Sequence, residues 1–229
     1  MVNVAVRRPA PRSKRIVAAA CALGLLAFAA DAFDAAAGQV LTALVSSGLA
    51  WGLAALLAGR TAADRRRAIT GATVLLVSAT LVYYLLILVI SRRWSGTGLS
   101  GLRSVAVMTT AWLVVSLIAG PMLGLLGHST RTARAPGAAL AAGIACGLLS
   151  GEGWQQITAA PPRLGGVLLN GSLAALLIKV VLPLAVLAWL AHVQRIWRAW
   201  PILLLAMIST ATLSALLWQL LRDAANRWG

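Results

Sequence analysis

The chain has 229 residues, of which 60% are hydrophobic and only 11% are charged, and its mean hydropathy is +0.88. This balance excludes an ordinary soluble globular domain and indicates an integral membrane protein. The formal net charge of +15 comes in short clusters of basic residues between apolar runs. Such clusters are typical of membrane topology signals, so we expect a lipid bilayer around the protein and no nucleic-acid partner.

Seven apolar stretches approach the length of about 20 residues that a helix needs to cross the hydrocarbon core. We therefore predict an all-α integral membrane protein with about seven transmembrane helices. Counts from six to eight fit the sequence. Polar side chains interrupt the first and fifth stretches, and the exact count depends on residues 152–171. The stretches are 16–36, 39–58, 68–91, 105–127, 137–158, 168–193 and 201–221.

The domain organisation follows from these stretches. Residues 1–15 form a basic N-terminal tail, 16–221 a single polytopic helical domain, and 222–229 a short C-terminal tail. The basic start and the apolar run after it also have the outline of a signal peptide. We favour retention of this segment as the first span.

The basic residues are divided unequally between the two sides of the predicted membrane domain. Thirteen of the 20 lie in the N-terminal tail and in the connections 59–67, 128–136 and 194–200, six lie in the alternate connections and the C-terminal tail, and Lys179 lies within a span. The positive-inside rule then predicts a cytoplasmic N-terminus and an external C-terminus in the cell (inner) membrane.

Ionisable residues inside predicted spans are candidate functional groups, because they are costly to place in a membrane. At a rise of about 1.5 Å per residue, several lie about 24 to 28 Å from the basic ends of their spans, near the external edge of the core. This candidate polar layer consists of Asp31, Asp34, Glu152 and Lys179, joined by Tyr83 and Tyr84.

The polar layer has two interpretations. In one, Lys179 pairs with Glu152 or an aspartate in a pocket, because an unpaired buried charge would change its protonation. In the other, the carboxylates sit at the interface and Lys179 extends outward to water. Adjacent tyrosines on a helix point about 100° apart, so at most one of Tyr83 and Tyr84 can face well into a shared pocket.

Glycines at four-residue spacing predict close helix packing, as in other small-xxx-small patterns. Pro121 and Pro183 are expected to kink their helices and release carbonyl groups. Residues 159–171 contain paired prolines and paired glycines, and form either a loop, which we favour, or a re-entrant segment. The predicted packing seam comprises Gly143, Gly147 and Gly151 with Gly120 and Gly124, and Gly48 and Gly52 repeat the spacing in the second span.

The order of several motifs resembles a family of small polytopic membrane proteins of actinobacteria whose function is unknown. The motifs are SGLAWGLAALLAG, LVYYL, LIAGPMLGLLGH and AAGIACGLLSGEGW, and they cover about residues 40–155. The matching positions are Trp51, Tyr83, Tyr84, Gly120 to His128, and Gly147 to Glu152. The resemblance implies a bacterial inner membrane and a multi-helix fold, with no catalytic residues to carry over.

Three classes of function remain open. The first is a small transporter, permease or transporter accessory that uses the external polar layer. The second is a non-catalytic structural or regulatory protein that packs against a membrane partner or another copy through its glycine-rich faces. The third, an intramembrane enzyme, is disfavoured because His128 and His192 lie about 20 Å or more from the acids, far beyond a proton-transfer distance. We therefore expect no enzymatic activity, no cofactor and no metal site, with Cys21 and Cys146 as small buried residues.

Overall fold

A computed structural model describes residues 11–31, 36–45, 48–91, 99–159 and 172–228. Across these residues the chain is helical, and six of its eight α-helices are long and apolar enough to cross a membrane. Asp34 and most of the 159–171 segment lie outside the described residues. The helices are α1 (Pro11–Ala30), α2 (Ala36–Val45), α3 (Leu49–Arg60), α4 (Arg65–Leu86), α5 (Leu99–Thr132), α6 (Ala135–Ala159), α7 (Ser172–Val193) and α8 (Trp200–Trp228).

The first and last helices extend into the predicted tails. Proline suits the first position of a helix because its missing N–H has no intrahelical partner there, and α1 begins at Pro11, within the tail predicted for 1–15. At the other end of the chain, α8 continues to Trp228 and so includes nearly all of 222–229. At both ends the helix thus continues into residues that hydropathy does not assign to a span.

The second predicted span, 39–58, is wrong as a single helix. α2 ends at Val45 and α3 begins at Leu49, and Gly48 between them has a φ of 76°, which favours glycine. A methyl group built on Gly48 would meet nothing within 4 Å, so this glycine turns the backbone and does not serve close packing. The Trp51 indole N–H donates to the Val45 carbonyl at 2.6 Å, which satisfies one acceptor across the break.

The helices form two groups, each around its own apolar core. The first half-bundle comprises α1, α3, α4 and α5, and the second comprises α6, α7 and α8. α2 contacts α1 and α3 as well as α7, and α5 contacts α6, so α2 and the α5–α6 contact both join the halves. Leu205, Ile208 and Leu213 of α8 are among the large apolar side chains that face outward, as expected for contact with lipid.

Glycines set the distance between α6 and α8. A methyl group on Gly143 would lie 2.5 Å from the Leu203 carbonyl oxygen, and one on Gly147 would lie 2.5 Å from that of Met207. Gly151 likewise faces the Ser214 side chain directly. The three glycines therefore line the face of α6 that lies against α8, with no space for even one added carbon.

The glycines of α5 have the same role toward α4. A methyl group on Gly120 would lie 2.6 Å from the Thr73 Cα, and one on Gly124 would lie 2.5 Å from the Ala68 carbonyl oxygen. Gly52 of α3 faces Leu149 of α6, unlike Gly48 four residues earlier. All these glycine faces are covered by helices of the same chain.

Three connections meet at one end of the structure, which we call the basic end. They join α3 to α4, α5 to α6, and α7 to α8, and contacts of Arg60 with Thr130 and Trp189 bring them together. At the start of α4, Asp64 caps the helix by accepting from the Arg67 backbone N–H at 2.8 Å. The basic residues of the three connections are Arg60, Arg65, Arg66, Arg67, Arg131, Arg134, Arg195 and Arg198.

Candidate functional site

An ion pair between α6 and α7 forms the centre of the candidate site. Lys179 Nζ donates a hydrogen bond to Glu152 Oε1 at 2.6 Å, and the two side chains are only 13% and 18% exposed. Gln156, one turn further along α6, donates to the same carboxylate oxygen at 3.1 Å. In apolar surroundings each charge compensates the other, which offsets part of the cost of burying them.

Gly153 allows the two helices to approach at this pair. A methyl group on Gly153 would lie 2.8 Å from Val180 Cγ2 and 3.1 Å from Lys179 Cβ. Sequence reasoning missed Gly153 because it lies outside the four-residue glycine repeat of α6. Its position directly after Glu152, the one acid in that predicted span, is the signal that could have identified it.

Gln155 adds a buried polar group to α6, about one turn from Glu152. Its side chain lies on α6 three residues after Glu152 and is 3% exposed, and its Oε1 has no hydrogen-bond partner among the described residues. An unsatisfied buried acceptor costs about 1–3 kcal/mol, so this amide oxygen would gain by accepting a hydrogen bond from a bound molecule.

Pro183 affects the backbone next to the same pair. It is fully buried and lies four residues after Lys179 on α7. Because proline has no N–H, Pro183 cannot donate the α-helical hydrogen bond to the Lys179 carbonyl. Lys179 thus carries two polar groups at this point: its side-chain ammonium, which is a charged donor, and its backbone carbonyl, an acceptor that Pro183 cannot bond.

Asp31, Tyr83 and Tyr84 form a separate cluster in the first half-bundle. The Tyr83 hydroxyl donates to Asp31 Oδ2 at 2.5 Å. The Tyr83 ring also meets the rings of Trp51 and Tyr84 edge-on, with centroids 6.4 and 5.1 Å away. Asp31 is therefore bound by Tyr83 while Lys179 is bound by Glu152, and the predicted polar layer is divided between the two halves.

No metal site emerges from the part of the chain that the structure describes. Its His, Cys, Asp and Glu side chains form no group of three that could hold an ion. Cys21 and Cys146 are free thiols, and Cys146 belongs to the core of the second half-bundle.

Comparison with protein families decides the relationship of the chain. A family described as "Family of unknown function (DUF6518)" matches residues 3–223. The chain belongs to the DUF6518 family. The match confirms the resemblance to a family of unknown function and extends it beyond 40–155, so that α7 and Lys179 are included. Comparisons with curated proteins and with solved structures find no match.

Proposed function

We propose that this DUF6518 protein is a small membrane carrier for a solute or proton, with Glu152 and Lys179 at its centre. The ion pair between two apolar helices is the observation that supports the proposal. Intramembrane ionisable groups commonly mark the paths of ions and solutes, because their cost is tolerated only where they serve a purpose. We take the basic end as cytoplasmic under the positive-inside rule, which puts the pair toward the external side of the inner membrane.

Two further features favour a carrier. The helices α2 and α3, interrupted at Gly48, resemble the discontinuous helices that line substrate sites in many transporters. Irregular backbone at membrane depth is tolerated where protein or a polar cavity surrounds it. Pro183 likewise removes the N–H that would donate to the Lys179 carbonyl in a regular helix.

The site offers two ways to carry charge. A proton that binds Glu152 would neutralise the partner of Lys179 and weaken the contact between α6 and α7. A solute with both a carboxylate and an ammonium group would instead separate the pair, with its carboxylate bound to Lys179 and its ammonium bound to Glu152. In both cases charge inside the apolar bundle remains largely compensated.

The alternative, a structural or regulatory protein that binds a partner through its glycine faces, has less support. Gly143, Gly147 and Gly151 lie against α8, and Gly120 and Gly124 lie against α4. A partner or second copy would need a different surface. We retain the expectation that the protein is not an enzyme as part of the carrier proposal.

Flux measurements on the purified protein in liposomes test the proton arm. A pH-sensitive dye inside the vesicles reports proton entry under a potassium diffusion potential. We expect flux above that of empty vesicles for the unmodified protein and flux at the empty-vesicle level for Glu152→Gln. Asp223→Asn, which removes an exposed carboxylate at the far end of α8, is the matched control and should leave flux unchanged.

Thermal unfolding with each of the proteinogenic amino acids tests the solute arm. A stabilising amino acid should lose its effect in Glu152→Gln/Lys179→Met, which keeps the pair isosteric while removing both charges. The carrier proposal is contradicted if the unmodified protein shows neither proton flux nor stabilisation. It is also contradicted if Glu152→Gln retains both.

A further inference from the structure

The side chain of Arg60 joins the two half-bundles at the basic end. Its Nη1 donates to Thr130 Oγ1 of α5 at 3.2 Å, and its Cζ lies 5.2 Å from the centre of the Trp189 ring of α7. With the Gln194 amide oriented so that its oxygen faces the guanidinium, that oxygen accepts from Arg60 Nη2 at 2.8 Å. Every one of these partners is neutral, so the positive charge of Arg60 is held in place without being neutralised.

A second guanidinium lies near the first. Arg131 Nη2 donates to the Ala62 carbonyl at 2.9 Å, and this contact fixes Arg131 next to the residues that follow Arg60. Burial, and then the charge of Arg131, lower the pKa of Arg60 below its ordinary value. The charges of the two guanidinium groups therefore oppose each other.

No described carboxylate compensates this pair of cations at ion-pairing distance. Asp64, the acid of the adjacent connection, is bound to Arg67 at 3.2 Å. Asp31 and Glu152 are engaged far along the helices, in the contacts with Tyr83 and Lys179. An anion from outside the chain would remove the repulsion between Arg60 and Arg131.

Nearby aromatic residues indicate where that anion would come from. Trp189, Trp197 and Trp200 at the basic end are 47%, 54% and 56% exposed. Exposed tryptophans at the ends of apolar helices lie at the level of lipid headgroups. Val193, in the last turn of α7, is also exposed and gives an apolar surface beside them.

We propose that Arg60 and Arg131 bind the phosphate of an anionic phospholipid between α3, α5 and α7. A guanidinium presents paired N–H donors that match two phosphate oxygens, and Thr130, Trp189 and Gln194 hold the Arg60 fork in one orientation. Basic sites between helices on the cytoplasmic side bind such headgroups in membrane proteins generally. The lipid would bridge the two half-bundles at the same point as Arg60.

Lipid titration of the full-length protein in an uncharged detergent tests this site. Phosphatidylglycerol, phosphatidylcholine and inorganic phosphate are added separately, and the melting temperature is followed as a function of concentration. We expect phosphatidylglycerol to raise it and the other two to have little effect. Arg60→Gln/Arg131→Gln should weaken phosphatidylglycerol binding by about ten-fold or more, since charge-assisted hydrogen bonds are lost.

Two further variants distinguish the loss of this site from a general loss of positive charge at the basic end and from misfolding. Arg66→Gln removes an exposed arginine of the same end and should bind phosphatidylglycerol as the unmodified protein does. Arg131→Gln alone changes an exposed side chain, so it should keep the fold and still weaken binding measurably.

Four outcomes would overturn the proposal. They are no stabilisation by phosphatidylglycerol, equal stabilisation by inorganic phosphate or phosphatidylcholine, an equal loss in Arg66→Gln, and full binding by Arg131→Gln.

Discussion

The two half-bundles use the same packing device but different polar chemistry. In the first, glycines of α5 bring it against α4, and the acid of the candidate polar layer, Asp31, accepts from the neutral hydroxyl of Tyr83. In the second, glycines of α6 bring it against α8, but the face toward α7 holds two opposite charges, Glu152 and Lys179. Glycine contacts give each half its shape, whereas the buried ion pair among the described residues, Glu152 with Lys179, lies in the second half, where we expect the function to reside.

Among the variants that test this comparison, Gly147→Leu is expected to reduce the amount of folded protein most. Its side chain would overlap the backbone of α8 near Met207 and Ala211, so α6 could not remain in place and most of the protein should fail to elute as a single folded species. Gel filtration in mild detergent measures this. Gly137→Leu is the matched control on the same helix, because a methyl group there meets only the Ala133 Cβ, at 3.2 Å. Equal losses for both variants would contradict a specific α6–α8 contact.

Lys179→Met should have the next largest effect. It leaves Glu152 buried without its cation, which is expected to reduce the free energy of unfolding by about 3 kcal/mol. Glu152→Gln/Lys179→Met removes both charges and should recover most of that loss. Reversible unfolding by titration with a denaturing detergent measures both variants. A double variant as unstable as the single one would show that the charges do not depend on each other.

Tyr83→Phe should have a smaller effect in the first half-bundle. It removes the hydroxyl that donates to Asp31, a loss of about 0.5–1.5 kcal/mol in the free energy of unfolding. Tyr84→Phe is the adjacent control, since its hydroxyl has no hydrogen bond among the described residues. If the Tyr83 change destabilises as much as Lys179→Met, the contrast between the two halves is lost.

Thr80→Val should have the smallest effect. The Thr80 and Ser116 hydroxyls lie 3.1 Å apart, buried between α4 and α5. Hydrogen bonds between membrane helices contribute about 0.6 kcal/mol on average, so a loss of that size is expected on the same unfolding assay. Thr110→Val, on the exposed face of α5, removes only a bond to its own helix, to the Ala106 carbonyl, and should change stability less.

Hydropathy predicted the helical fold, and spacing assigned the polar residues to one expected level, but neither could predict their partners. Counting along a helix gives the depth of Asp31, Glu152 and Lys179, whereas which helices are neighbours depends on the packing of the whole bundle. The sequence therefore allowed Lys179 to pair with any acid of the layer. In the structure, the close approach of α6 and α7 at Gly153 makes Glu152 the partner of Lys179.

Glycine and arginine were ambiguous for a similar reason. Gly48 and Gly52 have the same spacing, yet Gly48 breaks the helix while Gly52 packs against Leu149. Only the backbone angle distinguishes these uses. From the sequence alone, Arg60 is interpreted as one more basic residue that sets the membrane topology. Its contacts with Thr130 and Trp189 could not be predicted, because these residues lie on helices that are distant along the chain.

The length of α5 has a consequence for the bilayer itself. Its 34 residues rise about 51 Å, while a hydrocarbon core is about 30 Å thick. The helix must tilt strongly, bend at Pro121, or carry several turns beyond the apolar layer. α5 also has the smallest buried share of the six long helices, so most of its surface is left for contact with lipid. A change in bilayer thickness should thus alter the tilt of α5 more than that of any other described helix. Because α4 packs against α5, the tilt of α4 should change with it.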